Sequence, residues 1–414
     1  MSSEAIHRGE WRAGWTLVLA AGLGCGAGTI HFHSVGVMIV PLEQAMGWSR
    51  SEISGGMLIA SLSVGIVTFF AGAVADRIGA RRVAITGLTL YALALIGIGF
   101  SGPTLLSWYA AWSFLALVQG MATGVIFAVA VVSRFSKHRG LALGITLSGS
   151  GLVITTVPPF ALWLTETWGW SAAYFGLAAL IYLVPLPFLL AFFRDAHDLS
   201  RSKAMQKSAA AFEDARAAKK GLSIRVALTG RHAWRLAFSF LVLAIGVATF
   251  LVHLQPMLIG SGMSAKTAAY IASIVGPSLI VGRLITGAVL DRLRTPIVAG
   301  IVAVFPALCC LLMLNFNGSI AVAIVVAIML GVATGSEGDV LSYIAAEYMG
   351  EKNYGALFSV IGGIVGLGFG VAPYIAGLIY DIFGSYTLML NVNLFAALLA
   401  SGILFTLPKA PEYD

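Results

Sequence analysis

The chain has 414 residues, 59% hydrophobic and only 10% charged, with a formal net charge of +7. Soluble domains carry about 25% charged residues, so a mean hydropathy of +0.92 excludes that class, and the apolar content also excludes intrinsic disorder. The 48 glycines follow no Gly-X-Y period, which excludes collagen, and the apolar runs are continuous rather than the ~10-residue alternating segments of an outer-membrane barrel.

Continuous apolar runs of ~20 residues suit membrane helices. Twelve are predicted, near 13–40, 52–74, 83–101, 104–133, 141–164, 172–193, 234–259, 267–290, 297–315, 319–346, 356–380 and 386–407. The first is too long for the apolar core of a signal peptide and lacks a small-residue cleavage site before a polar domain. Gly and Pro recur inside the runs, which membrane helices tolerate when neighbours satisfy the freed backbone groups. Cys25, Cys309 and Cys310 all lie in apolar runs, so neither disulfides nor zinc is expected.

Alternate connections carry Arg8, Arg12, Arg77, Arg81, Arg82, Arg134, Lys137, Arg139, Arg292, Arg294, Lys352 and Lys409, with ten more basic residues between Arg194 and Arg235. The opposite side carries only Arg50 and Lys266. Basic residues stay on the cytoplasmic side, so both termini are expected in the cytoplasm, in the cell (inner) membrane. The charge therefore points to a lipid surface and not to nucleic acid. The domain reading is a six-helix bundle over 1–193, a cytoplasmic linker over 194–232 and a second bundle over 233–414. AFEDARAAKK within the linker is read as solvated, with a surface helix as the alternative.

An offset of 215 residues aligns Pro41 with Pro256, Gly47 with Gly262, Ser49 with Ser264, Gly140 with Gly355, Pro158 with Pro373 and Gly169 with Gly384. It also aligns Gly72-Ala73-Val74-Ala75-Asp76-Arg77 with Gly287-Ala288-Val289-Leu290-Asp291-Arg292. One register held across helices and loops implies an all-α membrane protein of two pseudo-symmetric six-helix bundles. Such parallel halves suit a transporter that opens to one side at a time.

Gly72-x-x-x-Asp76-Arg77-x-Gly79-x-Arg81-Arg82 lies between the second and third runs and resembles the loop motif of the major facilitator superfamily. Its glycines are expected to let helices approach closely, and Asp76 to stabilise a helix N-terminus or pair with an arginine. A gate-and-anchor role is expected for Gly72, Asp76, Arg77, Arg81 and Arg82, and for Asp291 and Arg292 in the second copy. Arg134-Phe135-Ser136-Lys137-His138-Arg139-Gly140-Leu141-Ala142-Leu143-Gly144 resembles the loop pattern of monocarboxylate transporters, with His138 and Arg134 as departures. Glu10-x-x-x-Gly14-Trp15 loosely resembles that family's first-helix pattern, and Asn353-Tyr354-Gly355 resembles the related oxalate–formate exchangers. The resemblance implies proton-linked or exchange transport of small carboxylates. It also implies that the family's first-helix lysine falls at His33, its eighth-helix arginine at Arg283, the acid before it at Leu279, and the exchangers' second basic residue near Ile361.

The polar residues inside the runs carry the rest. Arg283 is a permanent cation at a depth where charge is costly unless paired or wet. Its planar fork suits a carboxylate, and the alternative is a permanent salt bridge. Glu337 and Asp339 lie in Gly335-Ser336-Glu337-Gly338-Asp339, where glycines are expected to loosen the tenth helix. Two residues apart, they point ~200° from each other, so one of them is expected to pair with Arg283. His31 and His33 are candidates for protonation near neutrality, with packing histidines as the alternative. Gln119, Tyr343 and Tyr374 are candidate substrate contacts; His253 and Gln255 suit interfacial hydrogen bonding, and Asn391 and Asn393 the stitching of helices. The glycines of Gly362-Gly363 and Gly366-x-Gly368-x-Gly370 are expected to allow close packing, not to cradle a dinucleotide. No nucleophile elbow, phosphate loop or HExxH is present, so no enzyme, metal or cofactor is expected. The reading is a monomeric secondary transporter of a small carboxylate, with protons as co-substrate through His33, His31, Glu337 and Asp339. Anion exchange and proton-driven export of drug-like compounds stand as alternatives; a non-transporting receptor is disfavoured by the lack of a soluble domain.

Overall fold

The structure, a computed structural model, describes the backbone of residues 3–135, 138–194, 230–350 and 354–410; the side chains of 3–10, 13, 76, 133, 139, 354–357 and 359 fall outside the description. Twelve helical segments are long and apolar enough to cross a membrane, one for each predicted run. A bilayer leaves a chain few alternatives, because every backbone polar group in hydrocarbon needs an internal partner. The linker and its candidate helix lie largely outside the described residues.

The chain divides into two compact units, 1–202 and 203–414. The first contains α1 (Ser3–Ala27), α2 (Ile30–Met46), α3 (Arg50–Ile78), α4 (Ala80–Gly99), α5 (Leu105–Val118), a 3₁₀ turn (Gln119–Ala122), α6 (Gly124–Arg134), α7 (Arg139–Leu147), α8 (Gly149–Trp168), α9 (Trp170–Leu183) and α10 (Pro185–Phe192). The second contains α11 (Arg231–Gly260), α12 (Ala265–Ser273), α13 (Val275–Leu290), α14 (Thr295–Leu314), α15 (Ile320–Met349), α16 (Tyr354–Phe383) and α17 (Thr387–Phe405).

The landmarks of the repeat turn out to be the punctuation of helices. Gly47 and Gly262 follow α2 and α11 with φ of 70° and 91°; Gly169 and Gly384 separate the last two spans of each unit with φ of 88° and 67°. Only glycine adopts that region without strain. Ser49 and Ser264 are both N-caps, accepting from the Glu52 and Thr267 amides. Pro41 and Pro256 lie inside α2 and α11, Pro158 and Pro373 inside α8 and α16.

Tertiary contacts repeat as well. A Cβ added to Gly120 would lie 2.6 Å from the Thr68 amide nitrogen, and one added to Gly335 would lie 3.1 Å from that of Arg283, 215 residues on. Ser63 donates to the Ala116 carbonyl at 2.8 Å, and Ser278 abuts Gly331 in the second unit. Arg283, Glu337 and Asp339 thus occupy places filled in the first unit by Thr68, Ala122 and Gly124. The shared scaffold does not demand charge there.

The two units differ in continuity. Span one breaks at Gly28–Thr29 and span four at the 3₁₀ turn, and the two breaks meet: a Cβ on Gly28 would lie 2.0 Å from the Ala122 carbonyl oxygen. Their counterparts α11 and α15 run unbroken. The glycines of α15 therefore do not loosen it; Gly331 and Gly335 instead let α13 lie against it, and Gly338 faces open space. A Cβ on Gly72, Gly287, Gly362, Gly363 or Gly366 would also meet no atom within 4 Å, so none of these makes a close helix contact in this structure, whereas Gly368 abuts α11, at Leu241. In the loop motif the glycine the backbone requires is Gly79, at φ 94° between α3 and α4.

Candidate functional site

The charged constellation lies where α13 crosses α15. Small residues bring the backbones into contact: a Cβ on Gly335 would lie 2.1 Å from the Leu279 carbonyl oxygen, and one on Gly282 2.6 Å from Val332 Cα. Such small-residue crossings are how membrane helices pack without a hydrophobic drive. One turn along, Thr286 and Ser336 share a 2.6 Å hydrogen bond, and Ser336 donates on to the Val332 carbonyl.

On this seam Arg283 Nε lies 3.3 Å from Asp339 Oδ2, with the two side chains 17% and 28% exposed. The contact is close enough for an ion pair but is not aligned as a hydrogen bond: Arg283 Nε and Nη1 are buried without a hydrogen-bond partner. Leu279, where the resemblance puts an acid, is buried. The counter-charge comes instead from the neighbouring helix. Glu337 points elsewhere, as the angular argument requires: it is 4% exposed and its Oε1 has no hydrogen-bond partner.

In the first unit the Tyr91 hydroxyl accepts from the His31 amide at 2.9 Å and meets His31 Nδ1 at 2.8 Å. A hydroxyl has one proton, and with His31 Nδ1 as its acceptor that proton is committed. The His31 ring also stacks edgewise on buried Trp112. His33 has only an edge contact with Phe32 and makes no side-chain hydrogen bond among the described residues, which leaves it the less committed of the pair. Gln119 is buried and its amide donates to the Ala60 carbonyl, tying the 3₁₀ turn to α3. Tyr343 is 49% exposed and Tyr374 half-buried.

His253 is buried between three helices. Nε2 lies 2.9 Å from the Pro373 carbonyl and Nδ1 2.8 Å from the Tyr386 hydroxyl. A carbonyl only accepts, so Nε2 carries the proton and Nδ1 takes the Tyr386 hydrogen. Tyr386→Phe leaves that nitrogen buried and short of a donor, so it is expected to cost about 1–3 kcal/mol, read as a lowered thermal unfolding temperature in detergent.

The segments behind the family resemblance touch one another. A Cβ on Gly14 would lie 2.5 Å from the Phe135 ring, and Trp11 meets Phe135 edge-on at 5.1 Å. Ser136, Lys137 and Asn353 lie outside the described residues, as do the side chains of Glu10, Asp76 and Arg139. In the loop motif Arg81 donates to the Leu190 carbonyl at 2.7 Å, joining the start of α4 to the end of α10; Arg77, Arg82, Asp291 and Arg292 are exposed. A mostly apolar cavity of about 350 Å³ opens between α1, α2, α8, α9 and the start of α10, lined by Ala27, Ile30, Leu152, Val153, Phe160 and Pro185 among others, with Thr156 as a polar member. Among the described residues no group of three or more His, Cys, Asp or Glu is placed to hold a metal ion.

Comparison with known proteins adds the following. The family described as Major Facilitator Superfamily matches residues 15–338. Monocarboxylate transporter 13 of Bos taurus is 28% identical over 417 residues, covering 97% of this chain and 90% of that protein. Monocarboxylate transporter 12 of Homo sapiens is 25% identical over 316 residues, 69% of this chain and 61% of that protein. Agnestins efflux protein AgnL12 of Paecilomyces divaricatus is 27% identical over 302 residues, 71% of this chain and 64% of that protein. Among solved structures, a bacterial homolog of the human lysosomal transporter Spinster, inward-facing and unoccupied, aligns with a TM-score of 0.71 at 14% identity, covering 94% of this chain and 95% of that one.

Proposed function

The chain belongs to the major facilitator superfamily, and from that premise we propose that it carries a small organic carboxylate across the membrane by proton-coupled secondary transport, with Arg283 gripping the substrate. It is a multi-pass membrane transporter and not an enzyme. The observation that carries the substrate class is the half-used guanidinium. An arginine brought into a membrane helix costs about 2.5–3.5 kcal/mol at the bilayer centre, and a purely structural pair would recover that cost with parallel aligned bonds. Arg283 instead has one off-axis neighbour and unspent donors, the state of a cation waiting for a second anion. The names of the monocarboxylate transporters support the same class.

In this reading Asp339 holds Arg283 when substrate is absent and yields it when a carboxylate arrives. Protons travel with the anion through His33 and the acids of α15; His31, with Nδ1 engaged by Tyr91, is the weaker coupling candidate. Tyr343 and Tyr374 remain candidate contacts. Both termini face the cytoplasm of a cell membrane, and the monomer is the working unit. Co-loading a proton and an anion gives a neutral cargo, which lowers the electrostatic cost of enclosing it.

The test is thermal stabilisation of the purified protein by a panel of mono-, di- and aromatic carboxylates, followed by proteoliposome uptake with and without a pH gradient. A panel in which no carboxylate stabilises or moves overturns the reading. Asp339→Asn removes the competing anion. It is expected to lower the half-stabilising carboxylate concentration about threefold, the worth of a weakly aligned pair of about 0.6 kcal/mol. A second reading, export of an apolar compound, is favoured by the 350 Å³ cavity of the first unit and by the efflux relative. It requires that transport tolerate Arg283→Ala.

A further inference from the structure

The acids of α15 stand on different faces of one helix and meet different neighbours. Asp339 shares the α13 face with Gly335 and Ser336. Glu337 shares a stripe with Val340, Leu341 and Ile344, three, four and seven residues on. Those three belong to an apolar core built with Leu243 of α11 and Val298 and Val302 of α14. Glu337 is buried beside this core, and its Oε1 has no hydrogen-bond partner.

Among the described residues no cation forms an ion pair with it. Arg283 of α13 is turned to Asp339. On α11, Arg231, His232 and Arg235 lie in the first two turns, and His253 is held by Tyr386 and Pro373 near the other end. Lys266 and Tyr270 belong to α12. On α14, Cys309 meets the Val326 carbonyl, three turns from Glu337, with Cys310 beside it. Tyr374, Tyr380 and Asp381 lie in the second half of α16. Nor does the fold need an acid at this place: 215 residues earlier stands Ala122, fully buried.

We propose that Glu337 carries the transported proton, on a carboxyl separate from the anion-binding pair. An ionised carboxylate in this setting lacks both a counter-charge and a donor to Oε1; the protonated acid lacks far less. The group enters the apolar core with its proton and gives it up when the covering helices part and water reaches it. An O–H bond forms with a proton from water on one side and breaks to water on the other, with no redox change. The inference rests on the proton-coupled carboxylate reading and divides its labour: Arg283, released by Asp339, holds the anion, and Glu337 the proton.

Glu337→Gln keeps the shape and fixes the uncharged form. In proteoliposomes its carboxylate exchange at equal pH is expected within about twofold of the parent, while accumulation driven by a pH gradient falls about tenfold or more. Accumulation at the parent level overturns the proposal. A second measurement needs no substrate: infrared difference spectra at neutral pH are expected to show a protonated-carboxyl band in the parent that is missing in Glu337→Gln. A parent without that band overturns the proposal whatever is transported. Failure of every carboxylate to move through the parent overturns the transport reading instead, and that result is read without any variant. Should Glu337→Gln not fold, Glu337→Asp is expected to keep a shifted band and gradient-driven uptake with a displaced pH profile; a pH profile identical to the parent's counts against the proposal.

Discussion

Arg283→Ala is expected to abolish carboxylate-dependent stabilisation and uptake, and Arg283→Lys to retain a fraction of both. The guanidinium offers paired donors in a fixed plane, whereas an ammonium offers a point charge. Hydrogen bonds to charged groups are worth about 1.5–3 kcal/mol each, so losing a two-pronged grip lowers affinity by about a hundredfold or more. Alanine also strands Asp339, which loses the cation 3.3 Å away. Arg283→Ala with Asp339→Asn removes that burden, and the double variant is expected to regain thermal stability without regaining carboxylate binding. Thermal shift assays on both proteins separate the two effects. Normal transport by Arg283→Ala supports the export of an apolar compound instead.

Gly335→Ala is expected to be the most damaging methyl group in the second unit. The added carbon meets the Leu279 carbonyl oxygen at 2.1 Å and its carbon at 2.9 Å. Both are backbone atoms, so no rotamer change relieves the clash and α13 must move. Overpacking of this kind costs about 1–3 kcal/mol or more, and here the displacement also changes the spacing of Arg283 and Asp339. A lowered unfolding temperature and a weakened carboxylate response are expected together. Gly338→Ala is the control: three residues away on the same helix, its Cβ meets nothing within 4 Å, so the change from glycine favours the helix by up to about 1 kcal/mol. Equal losses in the two variants would count against the seam as the site's support.

The spans were legible because hydrocarbon demands long apolar runs. The repeat was legible because its landmarks are residues with one local use. Gly262 must take a positive φ where Gly47 does, and Ser264 must cap where Ser49 does. The breaks at Thr29, Gln119–Thr123, Ser148, Val184 and Ile274 were not legible, because membrane helices tolerate Gly and Pro with or without interruption. Helix geometry required that Glu337 and Asp339 face apart, yet did not choose between them. The signal that chooses was present: Gly331, Gly335 and Asp339 recur every four residues, one small-residue stripe with the acid at its end. The partners of His31 and His253 were out of reach, since Tyr91 and Tyr386 arrive from distant spans with no periodicity linking them.

The glycine seam has a consequence for how the charges can be separated. Arg283 and Asp339 ride on two helices of the same unit whose backbones are in contact at Gly335 and Gly282. A rigid rotation of that unit carries both together and leaves their spacing unchanged. The guanidinium is drawn away by a rival negative group or freed by a proton on Asp339, which makes the pair a chemical lock whose keys are the passenger and its proton.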